Sequence, residues 1–381
     1  MALDWQQRYE YAREPILSWV ERVTPIEGRR IVEFGCGNGP VTCALAERGA
    51  TVLALDIDEP AVEDGRRRAD ERGLGNAEFV GGPFEELLAE VKRRERFDVF
   101  FLFAVLEHMT IDERLATLAG ARAAVGSEGF IVVCESPNRL LPWDYHTSEL
   151  PFFGLLPDDL ALRYIDRSRR ADFKDAIAAA LARGEDEGRE ELIRWGRGVS
   201  FHEFELAFDD FPANVVACNY EPELLDVREL YPEELALARL LRRVRPDVPP
   251  AFSRYWLDLV IAGSAPESRR YFEPWPFETT NSRAVDLTEF DTLLLRGPHS
   301  RLVARFDRPA DELVLGLQGH DRAIELRIQG EGVDPIVLPV EAVESAVTAY
   351  VHVHLPHELH AVTLDVTESS HLSFLGYASE R

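Results

Sequence analysis

Four stretches of this sequence carry residue types that do chemistry. The first is Ile31-Val32-Glu33-Phe34-Gly35-Cys36-Gly37-Asn38-Gly39-Pro40, answered by Leu53-Ala54-Leu55-Asp56. Alternating glycines let a backbone turn sharply and come close to a ligand where a Cβ would obstruct it. A helix starting at Pro40 offers free N–H groups and the positive end of its dipole. Asp56 lies about 20 residues further on, where an acid can accept hydrogen bonds from both hydroxyls of a ribose. Together these residues predict a nucleotide-type cofactor pocket. The second and third stretches supply proton-handling groups, because a histidine titrates near neutrality. They are Glu107-His108, and Trp143-Asp144-Tyr145-His146, in which Asp144 can orient His146 as a base while Trp143 and Tyr145 stack on a ring of the substrate. A further pair, His202-Glu203, is a candidate base with a substrate contact. It lacks a second histidine four residues on and is no metalloprotease signature, so no catalytic metal is expected.

The elements that must hold these groups follow from the hydrophobic pattern. Short apolar strands at Ile31–Phe34, Thr51–Asp56, Ala77–Val80, Phe97–Phe103 and Phe130–Glu135 alternate with helical stretches at Val41–Arg48, Ala61–Arg72, Phe84–Arg94 and Asp112–Val125. That alternation is the signature of a doubly wound, Rossmann-like α/β sheet covered on both faces. Thr110 with Glu113 forms a capping box for the last of these helices. Beyond Glu135, prolines and aromatics describe an irregular segment. Charged helical stretches follow at Asp158–Arg183, Glu185–Trp195 and Pro232–Arg245, and Tyr255–Ile261 reads as a strand returning to the same sheet. Residues 140–250 are therefore expected to be an elaboration over the substrate side.

From Ser264 the pattern changes, and Pro266, Pro274 and Pro276 mark a connector. Strands are expected at Asp291–Leu295, Arg301–Phe306, Glu312–Leu317, Ala323–Ile328, Ile336–Pro339, Thr348–His354, Ala361–Val366 and Leu372–Tyr377, the spacing of an antiparallel β-sandwich. The expected domains are 1–265 and 266–381. In the second, Asp321, Arg322 and Glu325 can line a carbohydrate groove, and His352 with His354 share one strand face, read as solvated.

A chain of 381 residues with 46% hydrophobic content can bury a large core. Cys36, Cys43, Cys134 and Cys218 form no CxxC pair and no zinc spacing. The formal charge of -26 disfavours nucleic acid as a partner. No run is apolar enough to span a bilayer, and Met1-Ala2-Leu3-Asp4-Trp5 does not read as a signal peptide, so the expected compartment is the cytoplasm.

Val32-Glu33-Phe34-Gly35-Cys36-Gly37-Asn38-Gly39 resembles the first motif, E/D-x-G-x-G-x-G, of class I S-adenosylmethionine-dependent methyltransferases. The resemblance implies that Glu33 and the loop of Gly35, Cys36, Gly37, Asn38 and Gly39 face the methionine end of S-adenosylmethionine. It also implies that Asp56 holds the ribose and Ile57 meets the adenine, with Phe84 and Glu85 as further adenine contacts. Phe103-Ala104-Val105-Leu106-Glu107-His108-Met109 is similar to the x-L-E-H-V/M segment of small-molecule members, which sets Phe103 and Ala104 along the cofactor and Glu107-His108 near its methyl group. Asn138-Arg139 through His146-Thr147 to Leu150-Pro151-Phe152 resembles a segment of bacterial methyltransferases of surface-glycan or secondary-metabolite pathways. The resemblance spans residues 28–135 and, more loosely, continues to 263. It implies methyl transfer to an oxygen or nitrogen of a small molecule, a saccharide or glycosylated metabolite being the first to try. Two alternatives stand beside it. A nicotinamide-dependent oxidoreductase is disfavoured because Gly39 arrives one residue early for GxGxxG. The other is a methyltransferase-like binding protein without turnover that recognises a glycan or partner through the β region.

Overall fold

The computed structural model describes residues 4–209, 211–221, 224, 227–228, 231–265, 273–274, 277–279, 285–287, 293–296, 301–319, 324–340, 349–366 and 371–380. The chain forms two compact units, Met1–Asn219 with Arg245–Arg269, and Tyr220–Val244 with Arg270–Arg381. The expected division at residue 265 differs from this grouping mainly in the segment Tyr220–Val244.

The first unit is built on a seven-stranded sheet in the order β3-β2-β1-β4-β5-β7-β6. Its strands are β1 (Arg30–Phe34), β2 (Thr51–Asp56), β3 (Ala77–Gly81), β4 (Val99–Phe103), β5 (Phe130–Pro137), β6 (Val215–Cys218) and β7 (Trp256–Ala262). The first five are parallel, and β7 runs antiparallel between β5 and β6. Every residue of β4 is buried, as a strand covered by helices on both faces must be. Helices α1 (Trp5–Tyr11), α2 (Leu17–Glu21), α3 (Pro40–Glu47), α4 (Glu59–Glu71), α5 (Phe84–Arg93) and α6 (Ile111–Val125) belong to this core. The order reverses between β1 and β4, which step to opposite sides, so both strands end at the crevice where doubly wound sheets hold ligands.

Helices α7 (Asp158–Tyr164), α8 (Ala171–Leu181), α9 (Glu185–Trp195) and α10 (Phe201–Ala207) form the elaboration. It has a small core of its own, including Leu150, Phe153, Leu162, Phe173, Ile177 and Leu192. The single helix expected over Asp158–Arg183 is broken at Ser168, whose hydroxyl donates to the Ser148 carbonyl at 2.6 Å and ties the turn to the preceding loop. Strand β6 has no counterpart in the sequence reading; four residues are too short for a periodicity to register.

The second unit contains α11 (Pro232–Val244) and a nine-stranded, wholly antiparallel sheet. Its strands are β8 (Glu273–Pro274), β9 (Phe277–Thr279), β10 (Val285–Leu287), β11 (Leu293–Arg296), β12 (Arg301–Gly319), β13 (Ile324–Gln329), β14 (Ile336–Val340), β15 (Ala349–Val366) and β16 (His371–Glu380). Two strands expected on either side of Pro309 are one strand, β12, and two on either side of Pro356 are one strand, β15. The Pro309 region reads as a turn, but the pairing of β12 with β15 shifts register between Arg305 and Glu312 and absorbs the extra residues as bulges. Leu302, Leu313, Leu315, Leu326, Val362 and Leu364 lie in this unit's core. Pro266, Pro276, Asp321 and Arg322 fall outside the described residues. His352 and His354 are exposed, His354 within 3.0 Å of Glu312.

Candidate functional site

A cavity of about 440 Å3 opens at the carboxyl ends of β1, β2 and β4. Among its walls are Glu33, Gly35, Cys36, Gly37 and Asn38 from the first loop, Asp56 and Ile57 from the end of β2, Phe84 from α5, and Phe103, Ala104 and His108 beyond β4. Gly35 has φ +85, and a Cβ there would lie 2.3 Å from Val105 Cγ2, so only glycine lets the two loops meet. Gly37, at φ +51, would meet nothing within 4 Å: its bare backbone borders open space.

Asp56 Oδ2 accepts the Gly37 N–H at 2.7 Å and Oδ1 accepts the Asp58 N–H at 2.9 Å, which fixes the carboxylate at the cavity wall. Each oxygen keeps a second lone pair for a hydroxyl donor. Burial raises the Asp56 pKa. Burial also pushes Glu33 up to about 8, although the Thr42 hydroxyl donates to it. Phe84 packs edge-on against Phe34 with centroids 5.9 Å apart, and Ile57 stays 54% exposed, leaving two apolar surfaces for a flat ring. These residues fit an adenosyl ligand with an amino-acid tail: a carboxylate for the sugar, apolar faces for the base and a buried acid at the other end.

Three residues expected to touch the cofactor, Gly39, Glu85 and Glu107, do not border this cavity, and Glu107 lines the second one described below. Gly39 is turned to the packing of α3, where a Cβ would come within 3.0 Å of Phe79 and 3.3 Å of Gly65 Cα. Glu85 is exposed on the first turn of α5. Other wall residues were not read from the sequence. Helix α1 brings Trp5 and Arg8 to the cavity, and the Trp5 indole donates to the Asn38 carbonyl at 2.9 Å. The signal was present, for Asp4 and Gln7 form a capping box at the start of α1.

A second cavity, of about 1210 Å3, adjoins the first and shares Arg8, Ala104, His108 and Arg194 with it. Glu107, Trp143, Tyr145, His146, Trp195 and Trp256 also line it. Glu107 is completely buried, with His108 Nε2 3.8 Å and His146 Nε2 3.9 Å from its Oε1. Its carbonyl receives the Arg197 N–H at 2.8 Å and the Arg114 guanidinium at 3.3 Å. Arg194 fixes the neighbouring turn, donating to the His108 carbonyl at 2.9 Å and to both oxygens of Glu113 at 2.8 Å. The His146 imidazole has its pKa lowered by burial, against the opposing pull of Glu107.

Asp144 does not orient His146. Its carboxylate instead accepts Thr147 N–H at 3.0 Å, Ser148 N–H at 2.9 Å and the Ser148 hydroxyl at 2.7 Å, closing the turn that carries His146. His202 and Glu203 lie away from both cavities. The His202 ring is exposed and stacks on Phe201, with centroids 4.0 Å apart. Glu203 is buried, caps α10 through Ser200 and pairs with the buried Arg114 at 3.1 Å. The capping pattern Ser200-x-x-Glu203 was the sequence signal for this second role.

Residues 31–129 match the protein family described as "Methyltransferase domain". The chain is similar to the ubiquinone biosynthesis O-methyltransferase of Acinetobacter baumannii, 32% identical over 111 residues, covering 28% of this chain and 46% of that protein. It is also similar to the protein of that name from Bordetella avium, 27% identical over 148 residues, 35% of this chain and 60% of the other. A solved structure, magnesium protoporphyrin IX methyltransferase from Synechocystis with bound SAH, matches at 19% identity and a TM-score of 0.29, over 36% of this chain and 62% of that one. The chain thus spans about half the length of the curated relatives it matches. The matched residues hold the glycine loop, Asp56 and the Glu107-His108 turn, so the likeness to methyltransferases rests on the part of the chain that builds the smaller cavity.

Proposed function

We propose that this protein transfers a methyl group from S-adenosylmethionine to an oxygen atom of a small molecule. The observation that carries the reading is the junction of the two cavities at Ala104, His108, Arg8 and Arg194. A ligand filling the smaller cavity faces whatever occupies the larger one. Glu33 and the Gly35–Asn38 loop receive the methionine end, Asp56 the ribose, and Ile57 and Phe84 the adenine. Bound there, S-adenosylmethionine would supply a methyl group activated by its positively charged sulfur, for transfer to an acceptor oxygen.

The chain's own contribution is to position the acceptor, exclude water and drain one proton. The acceptor's hydroxyl faces the junction, where the polar groups Glu107, His108 and His146 are grouped, and its proton leaves on that side. The acceptor we favour is a saccharide or glycosylated metabolite. Trp143 and Tyr145, 39% and 48% exposed, offer the aromatic faces on which a sugar ring stacks. Names of the relatives also favour oxygen over nitrogen.

Calorimetry with S-adenosylhomocysteine tests the cofactor half. Wild-type protein should bind it, and Asp56→Ala should bind it about 10- to 100-fold more weakly, as expected when charged hydrogen bonds of about 1.5–3 kcal/mol are lost. No detectable binding by the wild type removes the reading. Trp143→Ala should raise KM for the acceptor while leaving cofactor affinity unchanged.

A further inference from the structure

Glu107 presents a problem that methyl transfer alone does not answer. Its side chain is fully buried, yet neither carboxylate oxygen has a hydrogen-bond partner. A buried charge is retained only where something compensates it. The two groups facing it are imidazole nitrogens, and their tautomers are fixed by what lies behind them. His108 Nδ1 is 2.7 Å from the Arg194 carbonyl, which can only accept, so Nδ1 carries the proton. Thr147 donates its one hydroxyl hydrogen to the Gly196 carbonyl at 2.7 Å and must therefore accept from His146 Nδ1 at 3.0 Å. In the neutral form of either ring Nε2 then carries the lone pair. Two imidazole Nε2 atoms and the Glu107 carboxyl group converge on one point.

We propose that Glu107, His108 and His146 bind one divalent transition-metal ion at the junction of the two cavities. One donor atom from each lies within 4.8 Å of the others. Ligands about 2.0–2.2 Å from an ion stand roughly 3.4 Å apart in a tetrahedral arrangement, so the two separations of 3.8 and 3.9 Å close onto an ion through a small inward movement of the side chains. Two imidazoles and one carboxylate suit zinc, manganese, iron or cobalt and do not suit calcium or magnesium, which prefer oxygen throughout. The Arg194 carbonyl and the Thr147 hydroxyl hold the rings from behind, as outer partners of metal-bound histidines do. Three protein ligands leave a coordination position open toward the acceptor cavity. A hydroxyl bound there would lose its proton to solvent more readily before attacking the methyl. This catalytic consequence rests on the methyltransferase reading, whereas the site itself does not. No spacing in the sequence announces the ligand set, because His146 comes from the loop after β5 and the other two from the turn after β4.

Chelator-treated protein titrated with Co2+ and followed by visible d–d absorption tests the proposal. One equivalent should bind, Glu107→Gln and His146→Gln should abolish the signal, and Thr147→Val should weaken binding about 10- to 100-fold. S-adenosylhomocysteine affinity measured on the same samples should stay unchanged and reports that the variants are folded. The exposed-histidine variant His352→Gln should keep full Co2+ binding. Absence of binding, or undiminished binding in both Glu107→Gln and His146→Gln, overturns the site. Cofactor binding and methyl transfer that survive chelation without Co2+ uptake would remove the metal and leave the methyltransferase reading standing. Co2+ uptake by a chain that ignores S-adenosylhomocysteine would do the reverse.

Discussion

Glu33 couples the cofactor pocket to pH. Burial lifts its pKa from 4.5 to about 8, so the folded protein holds a proton that the unfolded chain releases over that interval. The folded state then binds more protons than the unfolded one, and stability falls as pH rises from 4.5 to about 8, then levels off. The slope is at most about 1.4 kcal/mol per pH unit. Urea unfolding at about pH 6 and about pH 8.5 should show the decline in the wild type and its loss in Glu33→Gln. A ligand ammonium beside Glu33 would favour the carboxylate, so S-adenosylhomocysteine binding near neutrality should release a proton. Calorimetry in buffers of different ionisation enthalpy measures that release directly. That Glu33 and Asp56 border the cavity was legible because a carboxylate at a strand end next to a glycine turn has few structural uses. His202 and Glu203 were misread because a charged pair beside an aromatic looks the same whether it caps a helix or meets a substrate. The difference lies in Arg114, a distant residue whose partner no local pattern reveals.

At the scale of elements, Arg114 joins three pieces of the first unit. From α6 it reaches the Met109 carbonyl at 3.1 Å, the Arg197 carbonyl at 2.5 Å and Glu203 on α10 at 3.1 Å. Burial lowers its pKa, and Glu203 opposes that loss. Removing one partner of a buried pair leaves the other uncompensated, so Glu203→Ala should cost about 3–5 kcal/mol in denaturant unfolding. The same change should reduce methyl transfer, since the Arg114 guanidinium also holds the Glu107 carbonyl. The parallel strands and their helices were readable from sequence because each buries a continuous apolar run. The bent strands β12 and β15 were not, because a bulge and a turn draw on the same residues, Pro among them.

For the molecule as a whole, two compact units imply two unfolding events where a single domain gives one. Scanning calorimetry should resolve them, and S-adenosylhomocysteine at about 100 times its Kd should stabilise one by about 2.7 kcal/mol and leave the other in place. A single transition that shifts as one would show that the units unfold together. Substitutions on the exposed His352–His354 face of the second unit's sheet should leave cofactor affinity untouched. Among the described residues no helix is long and apolar enough to cross a membrane.

Ala104 borders both cavities and sits at φ 49, a left-handed conformation that side chains with a branched Cβ cannot adopt without strain. The backbone thus keeps β-branched side chains out of the shutter between donor and acceptor, where the sequence has only a methyl group. Asparagine tolerates that conformation. Ala104→Asn should therefore plug the aperture without unsettling its frame, giving a protein that loads both of its ligands in adjoining chambers and leaves them unable to meet.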